Sequence, residues 1–146
     1  MNIAIASDHA GFTLKNEISA YLKEYEYQVL DFGCFNEVPV DYPDFAFPVC
    51  EAISSGEANY GILICGSGIG MSIVANKMKT IRAANCVNTE MASLSRLHNN
   101  ANVLTLGARL LSYEQSKDII DTFLKTDFEG NRHLIRVEKI HSLTGK

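Results

Sequence analysis

Ile62-Leu63-Ile64-Cys65-Gly66-Ser67-Gly68-Ile69-Gly70 is the stretch on which the fold turns. An apolar run ends in a cysteine, and glycines follow at every second position. The run predicts a buried parallel strand. The segment Ile69–Met78 predicts a helix. The glycines between them predict a strand-to-helix turn whose backbone N–H groups can approach a ligand closely. Cys65 stands at the lip of that turn, beside a helix N-terminus, a setting that lowers a thiol pKa. An anion site with an activated thiol on its rim points to chemistry on a phosphorylated or enolisable substrate. Two familiar readings fail. Gly66, Gly68 and Gly70 are spaced G-x-G-x-G, with Met71 where a dinucleotide fingerprint requires its third glycine. The Gly-Lys-Ser/Thr of a P-loop is absent.

Outward from this turn, apolar runs alternate with segments of helical period. Strands are expected at Asn2–Ala6, Tyr27–Phe32, Tyr60–Ile64, Ile81–Ala84 and Asn102–Leu106. Helices are expected at Gly11–Glu26, Asp41 to about Ser55, Ile69–Met78, Thr89–Leu97, Ser112–Lys125 and about Glu129 to His141. Pro43 suits a helical first turn. This alternation implies a mostly parallel five-stranded sheet with helices on both faces, an open three-layer α/β/α sandwich. In such sheets ligands bind beyond the carboxyl ends of the strands. Ser7-Asp8-His9-Ala10-Gly11, after the first strand, and Cys65–Gly70, after the third, are then joint candidates for one site.

The chain has 146 residues, 47% of them hydrophobic and 21% charged, with a formal net charge of −4. That length fits one domain, residues 1–146, able to bury roughly 70% of its unfolded surface. The acidity and the lack of a basic run argue against nucleic acid as a partner. No apolar stretch approaches membrane-spanning length, so no membrane partner is expected. Cys34, Cys50, Cys65 and Cys86 form no C-x-x-C pair and no signal peptide precedes them, which predicts reduced thiols and a cytoplasmic location.

Each chemical candidate has a plain structural reading beside it. Asp8 can cap the next helix, or orient substrate hydroxyls with His9 beside an anion. Cys65 can be a small core hydrophobe, or a general base once ionised. Ser67 can relay a proton or bind an oxyanion. His98 and Asn99 can close a helix, or act on substrate. In the second case His98 precedes its strand and lies at the amino edge. A strand of this length spans roughly 17–20 Å, so if both act in one site a second chain is expected to supply either His98 or Cys65. Arg132 and Arg136 share a helix face four residues apart. They can be solvated, or clamp a phosphate, with Arg109 as a third cation. The four histidines show no ligand spacing, so no catalytic metal is expected.

Taken together these segments resemble the type B ribose-5-phosphate isomerases, a family that includes galactose-6-phosphate isomerase subunits and enzymes of allose 6-phosphate. The resemblance rests on Ser7-Asp8-His9-Ala10-Gly11, Asp41-Tyr42-Pro43, Ile64–Gly70, Ala75-Asn76-Lys77, His98-Asn99-x-x-Asn102-Val103-Leu104 and Gly130-x-Arg132-His133-x-x-Arg136-Val137, in that order. It implies a Rossmann-like three-layer α/β/α sandwich and a metal-free, cofactor-free homodimer, or tetramer, with active sites shared between chains and a sugar phosphate as substrate. By resemblance Cys65 is the base between C1 and C2, and His98 the acid of ring opening. Ser67 assists, and Gly66, Gly68, Ile69 and Gly70 hold the enediolate oxyanion. Asp8, His9, Tyr42, Asn99, Arg109, Arg132 and Arg136 bind substrate, with the last helix serving both the dimer and the phosphate. Ser67 stands where many members carry threonine, and keeps the hydroxyl. Met71 stands where one branch carries a glutamate base, so Cys65 places this chain in the cysteine branch. The galactose-6-phosphate members tend to lose parts of the His-Asn and Arg-His-x-x-Arg signals. Both are kept here, which favours ribose 5-phosphate and ribulose 5-phosphate over a six-carbon aldose 6-phosphate. A non-catalytic phosphate-binding module is the remaining alternative.

Overall fold

A computed structural model describes residues 1–145. The strands are β1 (Asn2–Ser7), β2 (Gln28–Asp31), β3 (Tyr60–Cys65), β4 (Ala83–Asn85) and β5 (Val103–Gly107). The helices are α1 (Phe12–Glu24), α2 (Tyr42–Ser54), α3 (Ile69–Ala75), α4 (Thr89–Asn99), α5 (Tyr113–Lys125) and α6 (Asn131–Thr144). The five strands run β2-β1-β3-β5-β4, and every neighbouring pair is parallel. The expected sandwich is therefore present, with no antiparallel strand in the sheet.

Strand alternation sorts the core into two layers. Ile3, Ile5, Ile62, Ile64, Leu104 and Leu106 face one way and pack on α1, α4 and α5 through Leu14, Ile18, Leu22, Ala92, Ile120 and Phe123. Ala4, Ala6, Leu63, Cys65 and Val103 face the other way and meet α2 and α3 through Ala46, Val49, Cys50, Met71 and Ala75. Cys65 thus belongs to the α2–α3 layer.

Several element ends differ from the sequence expectation. The predicted Gly11 start of the first helix is a 3-10 turn, His9–Gly11, closed by the Asp8 carboxylate. α3 stops at Ala75 because Asn76 turns back to the strand: its Nδ2 donates to the Ala83 carbonyl at 2.9 Å and its Oδ1 accepts from the Ala83 N–H at 2.9 Å. Those bonds also fix where β4 begins, two residues later than predicted. α6 runs on to Thr144, where Gly145 supplies a left-handed cap at φ 69°.

The chain reverses its direction of winding between β1 and β3, the place where open α/β sheets take ligands. Ser7 is in register with Ile64. Asp8 and Cys65 therefore leave the sheet side by side.

Candidate active site

The Asp8 N–H donates to the Ile64 carbonyl at 3.1 Å, which ties the two loops at the switch point. Asp8 Oδ1 accepts from the N–H groups of Ala10 at 2.9 Å and Gly11 at 3.1 Å. The capping role and the site role coexist, because the same side chain lines a cleft of about 370 Å³ with Tyr42, Cys65, Gly66, Ser67, Gly70, Arg109 and Leu110. His9 stands next to it, and its Nδ1 accepts from the Val40 N–H at 3.2 Å.

Cys65 Sγ accepts a hydrogen bond from the Gly68 N–H at 3.1 Å. That bond requires a backbone folded back over the strand end, and Gly68 supplies it at φ 77°. A side chain at Gly68 would strike Asn85 Oδ1 and approach the Leu106 carbonyl carbon to 3.0 Å. Asn85 itself pins the turn. Its Oδ1 accepts from the Thr105 hydroxyl at 3.2 Å, and its Nδ2 donates to the Ser67 carbonyl at 3.5 Å. A Cβ at Gly70 would lie 2.8 Å from the Tyr42 ring, so the third glycine lets α2 deliver that ring to the cleft. Arg109 leaves β5 two residues beyond the strand partner of Cys65, and its N–H donates to the Gly66 carbonyl at 3.1 Å. Ile69 begins α3 and is mostly exposed, at 55%.

The other predicted residues gather elsewhere. Arg96, in the last turn of α4, donates to the Tyr60 hydroxyl at 2.8 Å. Tyr60 opens β3, so the end of α4 sits at the amino edge of the sheet, opposite Cys65. There the His98 and His133 rings stack with centroids 4.3 Å apart and planes 10° from parallel. Glu129 Oε2 lies 3.9 Å from His98 Nε2 and 3.6 Å from His133 Nε2. Arg132 Nε donates to His133 Nε2 at 3.4 Å. Burial, then the neighbouring His98, holds His133 below the ordinary histidine range; Arg132 and Arg136 push the same way and Glu129 opposes them. Asn99 lines a separate cavity of about 400 Å³ beneath α6, with Arg82, Ile140 and His141. That cavity holds neither Cys65 nor the histidine pair.

His98, Glu129 and His133 offer three metal-ligating atoms within 4.8 Å of one another. Arg132 aims its N–H at the His133 lone pair, and parallel rings do not converge on a common point. The cluster is built for protons and anions more than for a cation. Sequence reading missed Asn85, Glu129 and His133 as site residues. The i,i+4 spacing of Glu129 and His133 was the available signal for two of them; Asn85, a polar residue closing a short strand, gave almost none.

The sequence profile of the family described as Ribose/Galactose Isomerase matches residues 3–140. The chain belongs to that family. It is 46% identical over 141 residues to the ribose-5-phosphate isomerase B of Escherichia coli K12, covering 97% of this chain and 95% of that one. Among solved structures, ribose-5-phosphate isomerase B of Clostridium thermocellum superposes with a TM-score of 0.98 at 51% identity, covering 99% and 98% of the two chains. The enzyme of Mycoplasma genitalium with bound ribulose 5-phosphate superposes at 0.94 with 44% identity, covering 99% and 97%. An isomerase family thus accounts for a cleft at the carboxyl edge that carries a thiol, a carboxylate and an arginine. All four cysteines of this member are free and buried. Among the described residues no helix is long and apolar enough to cross a membrane.

Proposed function

We propose that this isomerase interconverts D-ribose 5-phosphate and D-ribulose 5-phosphate through an enediolate, with Cys65 as the base. The observation that carries the reading is Cys65 Sγ, held by the Gly68 N–H at the mouth of the cleft it shares with Asp8 and Arg109. The similarity to enzymes named for this reaction supports it.

The furanose must open first. The C1–O4 bond breaks, its electron pair goes to O4, and O4 takes the proton of His98. The C1 hydroxyl releases its proton to water, from which His98 is reprotonated, and becomes the aldehyde. Cys65 thiolate then removes the C2 proton, which the neighbouring carbonyl has acidified, and returns it to C1, while the Ser67 hydroxyl relays the proton of the C2 hydroxyl to the C1 oxygen and C2 becomes a ketone. The oxyanion at C1 and then C2 is met by backbone donors of the glycine turn. Since the Gly68 N–H is engaged with sulfur, the Ser67 hydroxyl and the remaining N–H groups of the turn serve the oxygen. Arg132 and Arg136 bind the phosphate.

Cys65 and His98 lie at opposite sheet edges, so one site takes its base from one chain and its acid from another. Exposed apolar side chains support a homodimer. Ile69 and Ile73 of α3, Val87 beyond β4, Met91 and Leu94 of α4, and Leu134 and Ile135 of α6 are each at least 40% exposed. α3 packs on β4, and α4 packs on α6. A surface of this kind calls for a partner, and a two-fold copy of itself is the usual one. The predicted location remains the cytoplasm.

The test is proton NMR of ribose 5-phosphate in heavy water with enzyme and a chelator. Ribulose 5-phosphate is the expected product, and Cys65→Ala should lower turnover by about 10²–10⁴-fold. A variant with full turnover sinks the cysteine base. Turnover confined to six-carbon aldose 6-phosphates moves the substrate assignment, and no turnover on either leaves a binding module.

A further inference from the structure

One peptide unit, Ser67–Gly68, joins the two groups that the proposed reaction uses at C1 and C2. Ser67 bears the hydroxyl, whose oxygen accepts from the Ile69 N–H at 3.4 Å. Gly68 gives its N–H to Cys65 Sγ at 3.1 Å. A peptide unit is a rigid plane with its N–H and carbonyl on opposite sides, so whatever holds one end aims the other. The carbonyl end accepts from Asn85 Nδ2 at 3.5 Å and makes no other hydrogen bond among the described residues. Gly68 alone does not fix the plane. It sits at φ 77°, and glycine takes negative φ about as readily. Turned over, the unit would present the Ser67 carbonyl to the sulfur, an orientation that a thiolate repels.

Asn85 is itself braced. It ends the edge strand β4, in register with Thr105 of β5. The Thr105 hydroxyl, fully buried, donates to Asn85 Oδ1 at 3.2 Å. That bond occupies the oxygen of the amide and leaves its N–H₂ for the Ser67 carbonyl. β5 also packs directly against the unit: a Cβ at Gly107 would lie 2.9 Å from the Ser67 carbonyl. Neither Asn85 nor Thr105 lines the cleft.

We propose that Asn85 is a positioning residue for the isomerisation: braced by Thr105, its amide holds the Ser67–Gly68 peptide in the orientation that gives the Gly68 N–H to Cys65 and keeps the Ser67 hydroxyl at the cleft. The inference rests on the proposed roles of Cys65 and Ser67. Asn85 touches neither substrate nor reacting atoms and acts through one peptide plane. Loosening that plane misplaces the base and the relay without removing a contact to the sugar phosphate, so the cost falls on kcat and not on KM.

The experiment compares Asn85→Leu and Thr105→Val with wild type in the full-length protein. The first removes the donor to Ser67 without adding charge. The second removes only the brace, in a near-isosteric change that keeps the core filled. Steady-state kinetics on ribose 5-phosphate give kcat and KM. Amide hydrogen exchange by NMR without substrate gives the opening of the Gly68 N–H relative to that of Leu63 in β3. Asn85→Leu is expected to lower kcat about ten- to a hundredfold with KM held within about twofold. Its Gly68 amide is expected to exchange about tenfold faster relative to Leu63. Thr105→Val moves both readouts the same way by less, and Thr105→Ser, which restores the hydroxyl, recovers them. An unchanged kcat overturns the proposal, as does a loss carried by KM or a fall in kcat with the Gly68 exchange unmoved. Exchange needs no turnover, so failure of the isomerase assignment shows up separately, as absence of ribulose 5-phosphate from wild type.

Discussion

Four buried cysteines have four different settings, and reactivity should follow the setting. Burial pushes the Cys50 thiol up to about 12 and the Cys86 thiol to about 11. Neither forms thiolate to any extent at neutral pH. Cys65 lines the open cleft and has a backbone N–H aimed at its sulfur. Iodoacetamide at about pH 8 should therefore alkylate Cys65 well before Cys50 or Cys86. Peptide mass mapping reads the order, and first modification at Cys50 or Cys86 would contradict it. The thiol and the glycine turn were legible in the sequence because a strand ending in Cys-Gly-x-Gly has few other uses. Asn85 was not, since its importance lies in bonds to Ser67 and Thr105 that only the folded sheet brings near.

At the scale of elements, the layers and their order follow from alternation along β1 and β3, where isoleucines and alanines take opposite faces. Element ends were less legible. The stop of α3 depends on Asn76 meeting Ala83, a contact between segments whose separation no periodicity encodes. A further tie joins α1 to β2. Lys15 Nζ, 1% exposed, donates to both Asp31 oxygens at 2.8 and 2.7 Å. Asp31→Asn strands that ammonium in the protein and should cost about 3 kcal/mol of stability. Lys15→Met, which removes the buried charge itself, should cost less; urea denaturation distinguishes the two, and the reverse order would contradict this reading. α6 carries a pH dependence of known sign. His133 titrates below its ordinary value of 6.5 in the folded chain. The unfolded chain then binds the proton more readily, so this contribution is complete above about pH 6.5 and is lost as pH falls toward the folded value. The urea-midpoint gap between wild type and His133→Gln should narrow from about pH 7.5 to about pH 5.5. A constant gap would show that the ring is not linked to folding.

For the whole molecule, the proposed reading has one chain present half of each of two sites. The carboxyl-edge cleft has Cys65, a carboxylate and the glycine turn, and the amino-edge cluster has His98, Glu129 and His133 with Arg132 beside them. The sequence already pointed to this division, because His98 precedes β5 while Cys65 ends β3, and the parallel register puts those positions at opposite ends of the sheet. The partner's fit was not legible, since α6 meets α4 only through packing. The most direct measurement is subunit mixing. Cys65→Ala and His98→Asn proteins, each inactive on ribose 5-phosphate, are unfolded together, refolded and assayed. Sites built across two chains predict recovery of up to about a quarter of wild-type turnover, the share made whole by random pairing in a two-fold dimer. A mixture as inactive as its components would contradict the shared site and place acid and base in one chain.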